Sequence, residues 1–103
     1  MAEKYVWHKI AWNDYQKWIK ENKAIAKKII ELIEDILKNG LLKGKGKPEK
    51  LKYVKKPKYS RRIDQYNKLV YELIYEIDEK TNKLRILSCK GHYDNLEKFD
   101  NED

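Results

Sequence analysis

At 103 residues, with 41% hydrophobic content, the chain is long enough for one compact domain and too short for two independent ones. Three tryptophans and eight tyrosines exclude a disordered chain despite a charged fraction of 40%. The net charge is +7, but the last ten residues hold five acids and one lysine, so residues 1–93 carry +11, a balance that favours polyanionic partners. No run reaches the roughly 20 apolar residues needed to span a bilayer, and no membrane role is expected. A single cysteine, Cys89, excludes an internal disulfide, and the N-terminal residues lack a leader-like apolar run, so the expected compartment is a reducing cytoplasm.

Residues 5–10, YVWHKI, are aromatic and β-branched and predict a first strand. Trp12, Tyr15 and Ile19 then recur at helical spacing, and Trp12, Tyr15 and Trp18 read as helix-interface packing. Asn22 can cap a second helix whose Ile25, Ile29, Leu32, Ile33, Ile36 and Leu37 form one apolar stripe, stopped by Asn39 and Gly40. From Leu41 to Lys58, Gly44, Gly46, Pro48 and Pro57 interrupt the lysines, which predicts a loop or short edge pairing. YSRRID, KLVYELIYEI and KLRILSCKGHY read as three strands, the last two joined by the polar turn DEKTNK. The order β-α-α-β-β-β predicts an α+β fold with two N-terminal helices on one face of a small, mainly antiparallel sheet. Residues 1–93 form the expected domain, and residues 94–103 read as an acidic, flexible tail; folding back over the basic site is the alternative.

Between residues 43 and 62, ten lysines and arginines surround one carboxylate, Glu49. The chain lacks HExxH spacing, paired cysteines and a GxxxxGK[ST] loop, so neither a metal nor a nucleotide cofactor is expected. Cys89, inside the strand-like ILSC, reads as a small buried hydrophobe. A carboxylate, a histidine and many cations are the inventory for metal-free RNA cleavage. A base takes the ribose 2′-OH proton, that oxygen attacks phosphorus, an acid protonates the departing 5′-oxygen, and cations stabilise the transition state. DNA lacks the 2′-OH and cannot react this way. The residues alone leave other readings open. Glu49 fits a local counter-charge, and His92, like His8, fits a structural role. The lysines fit a solvated polyanion-binding surface. Tyr53, Tyr59, Tyr66 and Tyr93 fit strand packing or base stacking.

GKGKPE followed by LK, then SRRI, LVY and a closing C-x-x-HY, all in order, resemble the YoeB branch of the RelE toxin superfamily, across nearly all of residues 5–93. The resemblance implies a toxin of a type II toxin-antitoxin system that cuts mRNA in the ribosomal A site. Its partners would be the ribosome and an acidic YefM-like antitoxin, with a homodimer as a further expectation. It implies Glu49 as general base, His92 as general acid, Tyr93 as a positioning tyrosine, and Arg62 and Lys68 beside the reacting phosphate. Lys43, Lys45, Lys47, Lys50, Lys52, Lys55, Lys56, Lys58 and Arg61 are expected to bind RNA or ribosome. Lys68 stands where the family commonly has arginine, which replaces a planar fork by a flexible point charge. A gyrase-directed toxin of related fold, or a non-catalytic RNA- or ribosome-binding module, is the alternative function.

Overall fold

A computed structural model describes residues 5–52, 54–91 and 96–100. Strand β1 (Tyr5–Trp7) leads into helix α1 (Lys9–Glu21) and helix α2 (Lys23–Asn39). Four further strands follow: β2 (Glu49–Lys50), β3 (Tyr59–Arg62), β4 (Lys68–Glu76) and β5 (Thr81–Ser88), and then a 3₁₀ turn at Leu96–Phe99. They form one five-stranded sheet in the order β1-β5-β4-β3-β2, with β1 parallel to β5 and every other pairing antiparallel. This is the expected α+β class, with β2 added as an edge strand. Both edges are very short, a common way to limit pairing with other chains.

The first strand is shorter than the sequence predicted because His8 turns the chain. Its extended backbone and its Nδ1, which accepts from Ile10 N–H, make it the N-cap of α1. Asn22 serves two helices: its backbone N–H closes α1 on Trp18 O, and its side chain accepts from Ile25 N–H to open α2. The α2 stripe is as predicted from Ile25 to Ile36, but Leu37, expected to continue it, is exposed. Ile29, Leu32, Ile33 and Ile36 bury against Leu69, Tyr71, Leu84 and Ile86 of the sheet. Each such aliphatic side chain stabilises the fold by about 1.5–3 kcal/mol.

Paired residues in adjacent strands share a face of the sheet. Tyr59, Arg61, Leu69, Tyr71 and Ile86 therefore face the helices, and Ser60, Arg62, Lys68, Val70, Glu72 and Arg85 face the other way. Leu87 is the extra residue of a β-bulge, where Val70 pairs with Ser88 but Tyr71 with Ile86. It packs with Val70 on the outer face.

The expectation of a flexible tail fails for residues 96–100. Leu96 and Phe99 are buried in a second apolar cluster with Leu51, Val70 and Leu87, and Phe99 meets the His8 ring edge-on at 4.8 Å. Two apolar side chains three residues apart suffice to dock a 3₁₀ turn on one side. No helix of the described residues is long and apolar enough to cross a membrane.

Candidate active site

The loop before Glu49 is built around Arg61. All five N–H donors of this guanidinium are used: Nε donates to Tyr71 Oη, one terminal nitrogen to Asp35 Oδ2 and Lys45 O, and the other to Gly40 O and Lys43 O. Tyr71 Oη in turn donates to Leu41 O at 2.7 Å. Asp35 also accepts from Lys45 N–H and Asn39, and these hydrogen bonds, with that of Arg61, hold its carboxyl below the usual carboxylate range. The loop packs too tightly for side chains at two points. A Cβ on Gly44 would stand 1.9 Å from Asp35 Oδ2, and one on Gly46 3.0 Å from Arg62 O; both residues have positive φ. The glycines of GKGKPE therefore let the backbone close over the Arg61–Asp35 pair.

Beyond Pro48 the chain joins the sheet as β2, with Glu49 opposite Ser60 and Lys50 opposite Tyr59. Glu49 thus lies on the outer face, its side chain about half exposed. Arg62 and Lys68 pair directly across β3 and β4 on that same face. Like charges so placed repel. Glu49 offsets this from the side, its Oε1 3.8 Å from Lys68 Nζ. Arg62 is exposed, and its side chain makes no hydrogen bond or ion pair within the described residues. A carboxylate, an ammonium and a guanidinium are gathered at one end of the outer sheet face, an arrangement suited to moving a proton beside an anion.

The turn between β3 and β4 fixes the rim of this group. Asp64 Oδ1 accepts from the N–H groups of Tyr66 and Asn67, whose hydrogen bonds outweigh burial and lower the Asp64 pKa. Asn67 Oδ1 then accepts from Gly91 N–H at 2.7 Å, and Lys68 N–H donates to Gly91 O at 3.0 Å. From the helix side, Trp18 Nε1 donates to Cys89 O and Asp14 Oδ2 accepts from Cys89 N–H. The main chain from Cys89 to Gly91 is held at both ends beside Lys68. His92 and Tyr93 lie outside the described residues, as does Tyr53.

Two residues expected to bind RNA are placed elsewhere. Arg61 is fully buried on the helix side of the sheet, its donors consumed by the loop. Lys58 is also fully buried, bound to Asp100 and 3.8 Å from Glu72 on the outer face. Neither reaches solvent in this fold, and each is paired with a carboxylate, Arg61 with Asp35 and Lys58 with Asp100. Lys43, Lys45, Lys47, Lys50, Lys52, Lys55 and Lys56 are exposed. Tyr59 stacks on Tyr71 at 5.8 Å beside the core, whereas Tyr66 is exposed. Trp12 is 45% exposed, while Tyr15 and Trp18 pack on the core. Cys89 is buried, and burial pushes its thiol well up, as a structural cysteine requires.

Sequence reasoning missed Asp35, Asn67, Asp14 and Tyr71 as positioning residues. A signal for Arg61 was present: in YSRRI, the alternation that turns Tyr59 and Ile63 toward the core also turns Arg61 inward and Arg62 outward. No group of three or more His, Cys, Asp or Glu side chains suited to a metal ion occurs among the described residues.

A family described as YoeB-like toxins of bacterial type II toxin-antitoxin systems matches residues 7–93. Toxin YoeB of Escherichia coli K12 is 39% identical over 90 residues, covering 87% of this chain and 99% of that protein. The YoeB dimer from Staphylococcus aureus superposes with a TM-score of 0.77 at 39% identity, covering 90% of this chain and all of the other. A YoeB–YefM complex from the same organism gives 0.73 at 39% identity, over 90% of this chain and 100% of its counterpart.

Proposed function

This chain belongs to the YoeB-like toxins of bacterial type II toxin-antitoxin systems, and from that premise we propose that it is a ribosome-dependent endoribonuclease. The observation that carries the proposal is the grouping of Glu49, Lys68 and Arg62 on one end of the outer sheet face, beside the anchored Gly91. Glu49 takes the proton of a ribose 2′-OH. The freed oxygen attacks the adjacent phosphorus, Arg62 and Lys68 stabilise the charge that accumulates on the phosphoryl oxygens, and the bond to the 5′-oxygen breaks. His92, the residue after Gly91, protonates that leaving oxygen, and Tyr93 positions the scissile nucleotide. Both roles rest on family resemblance. No step needs a metal or cofactor.

The ribosome presents and bends the mRNA in its A site, which supplies the alignment that so small a protein cannot impose alone. The exposed lysines from Lys43 to Lys56 hold RNA and ribosome through phosphate contacts. The basic body suits an acidic YefM-like antitoxin, in keeping with the YoeB–YefM complex of the relative, and a homodimer follows the dimer seen there. The cytoplasm, where ribosomes translate, is the matching compartment.

In vitro translation with mapping of mRNA ends tests the proposal. Codon-positioned cuts are expected from the wild type and are expected to fall by about 10²- to 10⁴-fold in Glu49→Gln and in His92→Gln. Undiminished cutting by Glu49→Gln would remove Glu49 as the base. Translation arrest on intact mRNA would replace the nuclease by a binding module, and relaxed supercoiling or broken DNA would redirect it to gyrase.

A further inference from the structure

Residues 96–100 lie beyond the stretch matched by the family, and they dock on the outer face of the sheet between its two charged ends. Leu96 and Phe99 bury against Val70 and Leu87 of the central strands and against Leu51. Leu51 is two residues from Glu49, and its N–H donates to Lys58 O at 2.9 Å, continuing the β2–β3 hairpin past its two paired residues. Lys58 Nζ donates to Asp100 Oδ1 and lies 3.8 Å from Glu72. The hairpin segment that carries Glu49 is an edge with only two strand pairs, and its Leu51 and Val54 both pack in the cluster that Leu96 and Phe99 complete.

We infer that residues 96–100 are a clasp that holds the β2–β3 hairpin, and with it the Glu49 carboxylate, in register with Lys68 and Arg62. Leu96, Phe99, Asp100 and Lys58 are then positioning residues for the reaction, an assignment that rests on the reading of Glu49 as base. Two observations favour a clasp over a plug. Glu49 and Arg62 remain exposed with the turn docked. The Asp100 carboxylate is joined to Lys58, two register positions (about 7 Å) beyond the Glu49–Ser60 pair and farther from Arg62 and Lys68.

The test uses the full chain carrying Phe99→Ala, Phe99→Leu or Asp100→Asn, with amide hydrogen exchange and mRNA end mapping on each. Phe99→Ala is expected to speed exchange at Leu51 N–H by at least tenfold while the amides of the β4–β5 pairing keep their rates. Cutting at saturating ribosomes is expected to fall by about three- to tenfold with the half-saturating concentration unchanged, and Phe99→Leu to restore most of it. Asp100→Asn, which barely changes shape, should show the same local pattern at smaller amplitude. Unchanged exchange at Leu51, equal acceleration throughout the sheet, or faster cutting would each overturn the clasp. Should the wild type not cut at all, the reading of Glu49 falls, and the exchange pattern still decides whether the clasp exists.

Discussion

Arg61 and Arg62 are neighbours in the chain, yet they serve opposite sides of the sheet. Arg61 points to the helices and gives every donor to the loop and to Asp35 and Tyr71, whereas Arg62 points away and keeps its guanidinium in solvent. The helix side is where this protein spends charge on shape. The outer side leaves the charge of Arg62 in solvent, except near Lys58, where the docked C-terminal turn converts charge to structure again. A basic residue in a basic segment is therefore no guide to function until its face is known.

The contrast can be broken most severely at Arg61. Arg61→Ala leaves a carboxylate, a phenol and three carbonyls short of a donor, and should destabilise the fold by about 3–5 kcal/mol in urea unfolding. Arg62→Ala should leave stability within about 0.5 kcal/mol while cutting mRNA roughly 10- to 100-fold more slowly. If both variants lose stability alike, the division between the two sides is wrong. Gly44→Ala comes next, since its Cβ would displace Asp35 and its φ is positive; a loss of about 1–3 kcal/mol is expected, measured by the same unfolding curves.

Acid should separate the two sides more gently. The Asp35 pKa is depressed by the Lys45 N–H, Arg61 and Asn39, so its contribution is fully present above the ordinary carboxylate value and is lost as pH falls through the depressed one. The Glu72 pKa is raised, chiefly by burial, so Glu72 disfavours the fold once pH rises through that raised value and costs nothing in acid. Below about pH 4, exchange at Lys45 N–H, corrected for its intrinsic rate, should accelerate ahead of the outer face, and Asp35→Asn should abolish that dependence. The smallest expected effect is Lys68→Arg, which restores a planar fork beside phosphate and should raise cutting a few-fold at unchanged stability.

Much of this division was legible in the sequence. The α2 stripe from Ile25 to Ile36 dictated the helix and its buried side, and the three later strands followed from their alternation. The grouping of Glu49 with Lys68 and Arg62 was anticipated only through motif order, because no local pattern brings residues 49, 62 and 68 together; the register of three strands does. Arg61 was misread because its charge outweighed its phase in YSRRI. Lys58 could not be read at all, since its carboxylate partner Asp100 lies 42 residues away, in a segment whose composition suggests disorder. Residue type is local information, but the covering of a charge is not.

The Arg61 side chain also imposes an order in time. Four of its partners, Asp35, Gly40, Lys43 and Lys45, precede it in the chain, and Tyr71 follows it. A chain growing from its N-terminus carries the glycine loop and Glu49 before it carries the group that shapes them. Until β3 has paired with β4, the loop has neither guanidinium nor phenol to close on, and its ends are joined only at the entropic cost of an open segment. The loop that leads to Glu49 therefore cannot take its final shape before the strands that bear Arg61 and Tyr71 are made.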